Sequence, residues 1–282
     1  DMSLDGLADP RLLPYRDARD ADLRGAHDLF LVESPRCVAR FLRACQSGRW
    51  QARSVLAGAE HLPLLAPLAE RTACPLITAS REEIERWSGY RFHHGALALG
   101  EHRPAWRLEE LTRGLSGAHA CVILADGVVH VDNIGSLFRN AACLGASAVV
   151  LGPGCADPLG RKCIRISMGR VFGVPFAHVE DLVPVIGQLA AEGVQTFCLE
   201  QSATAVPLHA WQPPSRVALV VGAEGRGVAP PLQAACHGCV EIASAPDPLA
   251  GPEDGPPSLN VATALAIVLH GLHRRGGAAG GA

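Results

Sequence analysis

The feature that most constrains this chain is an alternation, beyond residue 118, of short, apolar, strand-like runs with helix-period segments. The runs lie at 121–125, 148–151, 196–199 and 217–221. A strand that is apolar at successive positions needs cover on both of its faces. Strands alternating with helices therefore predict an α/β fold: a mostly parallel sheet sandwiched between helices. A closing helix is expected over 259–273, and the glycine-rich stretch 276–282 reads as a flexible tail.

A smaller α/β pattern comes first. Helices are expected at 35–47, 62–71 and 81–87, and strands at 54–57, 75–78 and 96–99. Glycine and proline punctuate 100–117, which suits a linker. The expected organisation is thus an N-terminal domain at 1–106, a linker at 107–117, a second domain at 118–275 and the tail at 276–282. Two domains also suit a length of 282 residues.

Composition narrows the class. With 48% hydrophobic and 19% charged residues, the bulk of the chain is not intrinsically disordered. The longest apolar stretch, 261–269, is about half of what a membrane-spanning helix needs. The first residues lack the basic cap and apolar core of a secretory signal, and Met2 reads as the natural start. Ten cysteines, mostly in apolar surroundings (Cys121, Cys143, Cys198), read as buried free thiols in a reducing cytoplasm. Cys236-His237-Gly238-Cys239 has the spacing of a metal or redox site. No second pair stands at zinc-site spacing, so no metal is expected.

Twenty-five basic against 28 acidic residues leave a net charge of −3, which excludes a uniformly basic nucleic-acid binder. Focused basic patches survive inside that sum. Arg36, Arg40 and Arg43 share one face of a helix, and Arg161, Lys162 and Arg165 cluster with Asp157 as the nearby acid. Such arginines suit RNA phosphates, and a merely solvated helix face is the plainer alternative for the first group.

Three loops lie where an open α/β sheet takes its ligands, at the carboxyl ends of strands or facing them. The first carries Asn133-x-Gly135-x-x-x-Arg139-Asn140-Ala141, the second Gly222-Ala223-Glu224-Gly225-Arg226-Gly227, the third Ser258-Leu259-Asn260-Val261-Ala262. The GxGxxG dinucleotide fingerprint and the GxxxxGK[ST] phosphate loop are both absent, which disfavours a nicotinamide-dependent oxidoreductase. Taken singly, each loop is also explained as a tight turn with a helix cap.

In this order the three loops resemble the motifs of the SpoU-type RNA ribose 2′-O-methyltransferases, of the SPOUT fold. The segment 155–175 is similar to the family's stretch after the first motif, and the resemblance covers roughly 118–273. The N-terminal region resembles, less closely, the small ribosomal-protein-like RNA-binding domain of many members. The resemblance implies a trefoil-knotted domain with the segment 222–269 threaded, a homodimer, S-adenosylmethionine as cofactor and structured RNA (rRNA or tRNA) as substrate. It implies that Arg139 is the central catalytic residue, with Asn133, Glu224, Ser258 and Asn260 around it. Val221, Gly222, Glu224, Gly225, Gly227, Ile242, Ser258, Leu259 and Asn260 would hold the cofactor. The chain departs from the family's pattern in an expanded Pro/Gly-rich stretch at 243–257, in Asn140 where many members have Ser or Thr, and in lacking a proline shortly before Asn133. That expansion beside the adenine pocket leaves a second reading open: a non-catalytic RNA-binding protein on a knotted scaffold with an impaired cofactor site.

Overall fold

The computed structural model describes residues 13–15, 23–25, 28–88, 95–103, 106–115, 117–223, 225–246, 248–249, 251 and 257–278. Two compact units result: residues 1–104 with 157–173, and residues 105–156 with 174–282.

The first unit holds a four-stranded sheet of order β1-β4-β2-β3, built from β1 (Leu29–Glu33), β2 (Ala52–Ala57), β3 (Leu76–Thr78) and β4 (Ala96–Glu101). β4 runs antiparallel to both of its neighbours, and β2 is parallel to β3. The periodicity missed β1, an apolar run buried along its whole length. Helix α1 (Pro35–Cys45) starts cleanly because Ser34 Oγ accepts the Cys37 N–H at 3.3 Å and proline occupies the first turn. It buries Cys37, Val38, Phe41 and Leu42, while α2 (Leu62–Arg71) and α3 (Arg81–Ser88) complete the unit's long helices.

Residues 157–173, read from the sequence as part of the second domain, pack in this first unit. Phe172 is the anchor. Its ring lies 4.8 Å from that of Phe41 and 5.3 Å from that of Trp50, whose Nε1 donates to the Phe172 carbonyl at 3.0 Å. Burying a phenylalanine stabilises by about 1.5–3 kcal/mol, enough to hold the short helix α6 (Arg161–Ile166) beside β1.

The second unit is built on a seven-stranded sheet of order β7-β6-β5-β10-β8-β11-β9 with every pair parallel. The four apolar runs fall in β5 (Ala120–Asp126), β6 (Ala148–Leu151), β8 (Gln195–Leu199) and β10 (Arg216–Gly222). Strands β7 (Phe176–His178), β9 (Val206–Pro207) and β11 (Gly238–Glu241) are too short to announce themselves, and the CxxC spacing masked β11. Leu124, Val150, Ile186, Leu189 and Val220 are among the buried residues of the core. The expected linker contains a helix, α4 (Leu108–Arg113), whose Glu110 carboxylate accepts the Arg107 N–H at 3.2 Å and which buries Leu111 in the same core.

Helices α5 (Val131–Cys143), α7 (Val183–Ala191), α8 (Pro230–Ala235) and α9 (Val261–Ala278) complete the unit. The last begins two residues later than its periodicity suggested and runs through Gly276, so the tail reading fails up to Ala278. From β5 the chain builds outward through β6 and β7, then crosses to β8 and returns to lay β10 between β5 and β8. The strand order reverses there, and ligands of open α/β sheets bind at the carboxyl ends beside such a reversal.

Candidate active site

At that end the paired last residues of β5 and β10 are Asp126 and Gly222. After Gly222 the backbone doubles back: Gly227 N–H donates to the Ala223 carbonyl at 2.9 Å. Only glycine fits at 222, since a Cβ there would sit 2.1 Å from the Gly227 carbonyl carbon. Gly227 has φ 69°, and a Cβ on it would sit 2.2 Å from Glu200 Oε2. Two carboxylates pin the returning strand. Asp126 Oδ2 accepts the Ala229 N–H at 3.0 Å, and Glu200 Oε2 accepts the Val228 N–H at 2.9 Å. Val221 is buried and Gly225 is exposed, while Glu224 lies outside the described residues.

Beside this loop is a shallow pocket of about 100 Å³ lined by Leu199, Glu200, Gln201, Val240, Glu241, Ile242, Ser244, Ser258, Leu259 and Ala264. Ile242, Ser258 and Leu259 are thus brought together. Gln201 was not singled out in the sequence. Its Nε2 donates to the Pro257 carbonyl at 2.7 Å, tying β8's end to the stretch before the third motif.

The first and third motifs meet through asparagines. Asn260 caps α9, its Oδ1 accepting the N–H groups of Ala262 at 3.0 Å and Thr263 at 3.3 Å. Its Nδ2 donates to Asn133 Oδ1 at 2.8 Å. One face of α5 carries Asn133 and, seven residues on, Asn140, whose Nδ2 donates to the Ala262 carbonyl at 2.8 Å. Asn140 therefore ties α5 to the first turn of α9. Arg139, one residue before Asn140 on α5, is exposed and makes no hydrogen bond or ion pair with any described residue. An exposed guanidinium can stabilise a developing negative charge or hold a phosphate.

The basic residues divide into exposed and paired ones. Arg36 and Arg43 are exposed, whereas Arg40 donates to the Met168 carbonyl. Arg161 and Arg165 pair with Glu33, an acid more than 120 residues away in the chain, and Lys162 is exposed. Asp157, the acid that the sequence set beside these residues, pairs with Arg24.

Two cysteine readings are corrected, and the first is Cys143, expected to be buried but exposed on the last turn of α5. Cys198 is not a free thiol: it forms a disulfide with Cys239, its paired neighbour on β11. Residue pairing across parallel strands put the two sulfurs together, which local composition could not show. The CxxC spacing has no metal-binding geometry, and among the described residues no group of three or more His, Cys, Asp or Glu side chains converges on a metal position. The sequence assigns no role to Asp126 or Glu200. The available signal was their position at the carboxyl ends of β5 and β8.

Residues 120–270 match the model of the SpoU rRNA Methylase family. An uncharacterized tRNA/rRNA methyltransferase of Mycobacterium tuberculosis is 32% identical over 275 residues, covering 95% of this chain and 90% of the relative. A 23S rRNA (guanosine-2′-O-)-methyltransferase of Acinetobacter baylyi is 27% identical over 213 residues, covering 75% of this chain and 83% of its own. Among solved structures, an AdoMet-bound rRNA methyltransferase from Sinorhizobium meliloti superposes with a TM-score of 0.76. It is 22% identical, covers 96% of this chain and 97% of its own, and so shares the fold.

Proposed function

The chain belongs to the SpoU rRNA methylase family, and from that premise we propose that it transfers a methyl group from S-adenosylmethionine to a ribose 2′-hydroxyl of structured RNA, rRNA or tRNA. The observation that carries this reading is the hydrogen bond joining Asn133 to Asn260, which ties the helix that bears the exposed Arg139 to the third motif.

The residues present fit the cofactor. The pocket has apolar walls at Leu199, Val240, Ile242 and Leu259 for an aromatic base, and its rim offers Ser244 and Ser258 hydroxyls. At about 100 Å³ it is smaller than the roughly 300–1,000 Å³ usual for whole-ligand sites, so it suits the adenine end alone. The remainder would lie near Gly225, where an added Cβ would meet nothing within 4 Å. When bound, S-adenosylmethionine supplies a methyl group on a cationic sulfur with a good thioether leaving group.

What the protein must add is alignment of the ribose and stabilisation of its oxygen as the proton departs. Arginine stays protonated above pH 12 and is a poor base. Arg139 instead stabilises the developing alkoxide and holds an adjacent RNA phosphate, which takes the proton. Asn260 orients Asn133, and Ser258 contributes a hydroxyl beside them. Glu224 is assigned to polar groups near the cofactor by its motif position.

Two finer features belong to the same reading. We take the segment 222–269 to be threaded as a trefoil knot, with the N-terminal unit as the RNA-binding domain. We also take the protein to act as a homodimer. No observation favours the non-catalytic alternative.

The test is Arg139→Ala. Transfer of labelled methyl to RNA should collapse by at least about a hundredfold, as for loss of one transition-state donor. Calorimetric binding of S-adenosylhomocysteine should persist. Turnover within a few-fold of the parent protein refutes the assignment.

A further inference from the structure

Within the first unit, Glu33 ends β1 and is only 4% exposed, so its carboxylate demands cationic partners. Helix α6 supplies them. Arg165 Nη1 donates to Glu33 Oε2 at 3.3 Å, and Arg161 Nη1 lies 3.6 Å from Oε1. Spaced four residues apart, the two arginines leave one face of the helix. Arg165 meets the carboxylate through a single nitrogen, and 46% of its side chain is exposed. Among the described residues its Nη2 and Nε have no partner.

The arginine stripe of α1 borders the same edge. Arg40 donates to the Met168 carbonyl, and a Cβ on Gly169 would sit 3.4 Å from Arg40 Cβ. One turn earlier Arg36 is exposed and makes no hydrogen bond or ion pair with a described residue. Backbone strain marks both sides of the corner: Ser34 has φ 81° and Met168 φ 56°, a region that side-chain-bearing residues rarely adopt. Such conformations persist only where the surroundings fix them, and they cluster at functional sites.

We propose that this corner binds a phosphodiester of the RNA backbone, with Arg165 and Arg36 as the contacting cations and Glu33 as the positioning residue. The proposal rests on RNA being the substrate, as read above. A guanidinium tethered along one edge has less freedom to lose when its other edge meets two phosphate oxygens. Contact with a phosphate fixes register and reads no bases. The corner therefore seats the RNA on the first unit and leaves the choice of nucleotide to other contacts.

The experiment is fluorescence anisotropy of a labelled mixed-sequence RNA hairpin on the full chain, over a series of salt concentrations. Arg165→Ala should bind about tenfold more weakly at low salt, as expected for loss of one charged hydrogen-bonding contact. Its plot of log affinity against log salt should be shallower by about one unit. Arg165→Lys keeps the charge and should restore only part of the affinity, because the planar fork is lost.

Glu33→Gln makes the chain more positive by one charge, so charge arithmetic alone demands tighter binding. Positioning demands weaker binding. Melting curves identify any variant that fails to fold, and Arg165→Ala then decides alone. Calorimetric affinity for S-adenosylhomocysteine should be unchanged throughout. Wild-type affinity and slope in Arg165→Ala, or tighter binding by a folded Glu33→Gln, overturn the site and leave the methyltransferase reading intact. A parent protein that does not bind the hairpin overturns both.

Discussion

Replacing Asn260 with alanine removes three interactions at once, and a serine variant separates them. Oδ1 of Asn260 satisfies two orphan N–H groups at the start of α9, those of Ala262 and Thr263. An N-cap is worth about 1 kcal/mol. The bond from Nδ2 to Asn133 contributes about 1 kcal/mol net, and less here because the asparagine is exposed. Asn260→Ala should therefore cost about 1–2 kcal/mol in urea denaturation and lower Tm by roughly 2–8 °C. Asn260→Ser keeps a capping oxygen but is too short to reach Asn133, so it should cost less than about 1 kcal/mol. Catalysis should divide differently. Both variants release Asn133, so both should lose methyl transfer by about tenfold or more when measured well below Tm, equivalent to about 1.4 kcal/mol of barrier. Stability then separates the two variants while activity does not. A serine variant as unstable as the alanine one removes the capping argument, and one with parental activity removes the positioning of Asn133.

Two further outcomes follow from the geometry. Gly222→Ala forces a Cβ against the Gly227 backbone at 2.1 Å, so it should destabilise by about 1–3 kcal/mol and weaken S-adenosylhomocysteine binding at least tenfold by calorimetry; parental affinity would show that the loop does not shape the pocket. Burial pushes the Cys121 thiol up to about 12, leaving it almost no thiolate near pH 8, while Cys143 is exposed. Iodoacetamide followed by peptide mass spectrometry should label Cys143 first, and equal labelling of Cys121 would contradict its burial.

The parallel sheet of the second unit was legible because its longer strands carry consecutive apolar residues, a pattern that half-buried strands do not produce. Strands of two to four residues were not: β7, β9 and β11 carry too few side chains for a period to emerge. Helix α4 was hidden by flanking glycines and proline, although Leu111 and Glu110 held its packing and capping signals. Among the residues proposed for the site, Asn133, Arg139, Ser258 and Asn260 stand in ordered motifs of the sequence. Asp126, Glu200 and Gln201 do not, because each acts by gripping backbone or carbonyl groups in other segments, and such grips leave no spacing in a sequence.

The charge pattern shows the division most plainly. From residue types and spacing alone came the α/β class, the ordered motifs and the presence of arginine clusters within a net charge of −3. Which arginines are available was beyond that reading. Glu33 and Arg165 stand 132 positions apart, and only folding brings the buried carboxylate onto α6. In the same way only strand pairing joins Cys198 to Cys239, and only the cap of α9 brings Asn260 to Asn133. Periodicity and composition act along the chain, so a sequence records them. Hydrogen bonds, ion pairs and burial act through space over a few ångströms, so their partners exist only once the tertiary structure has set the distances.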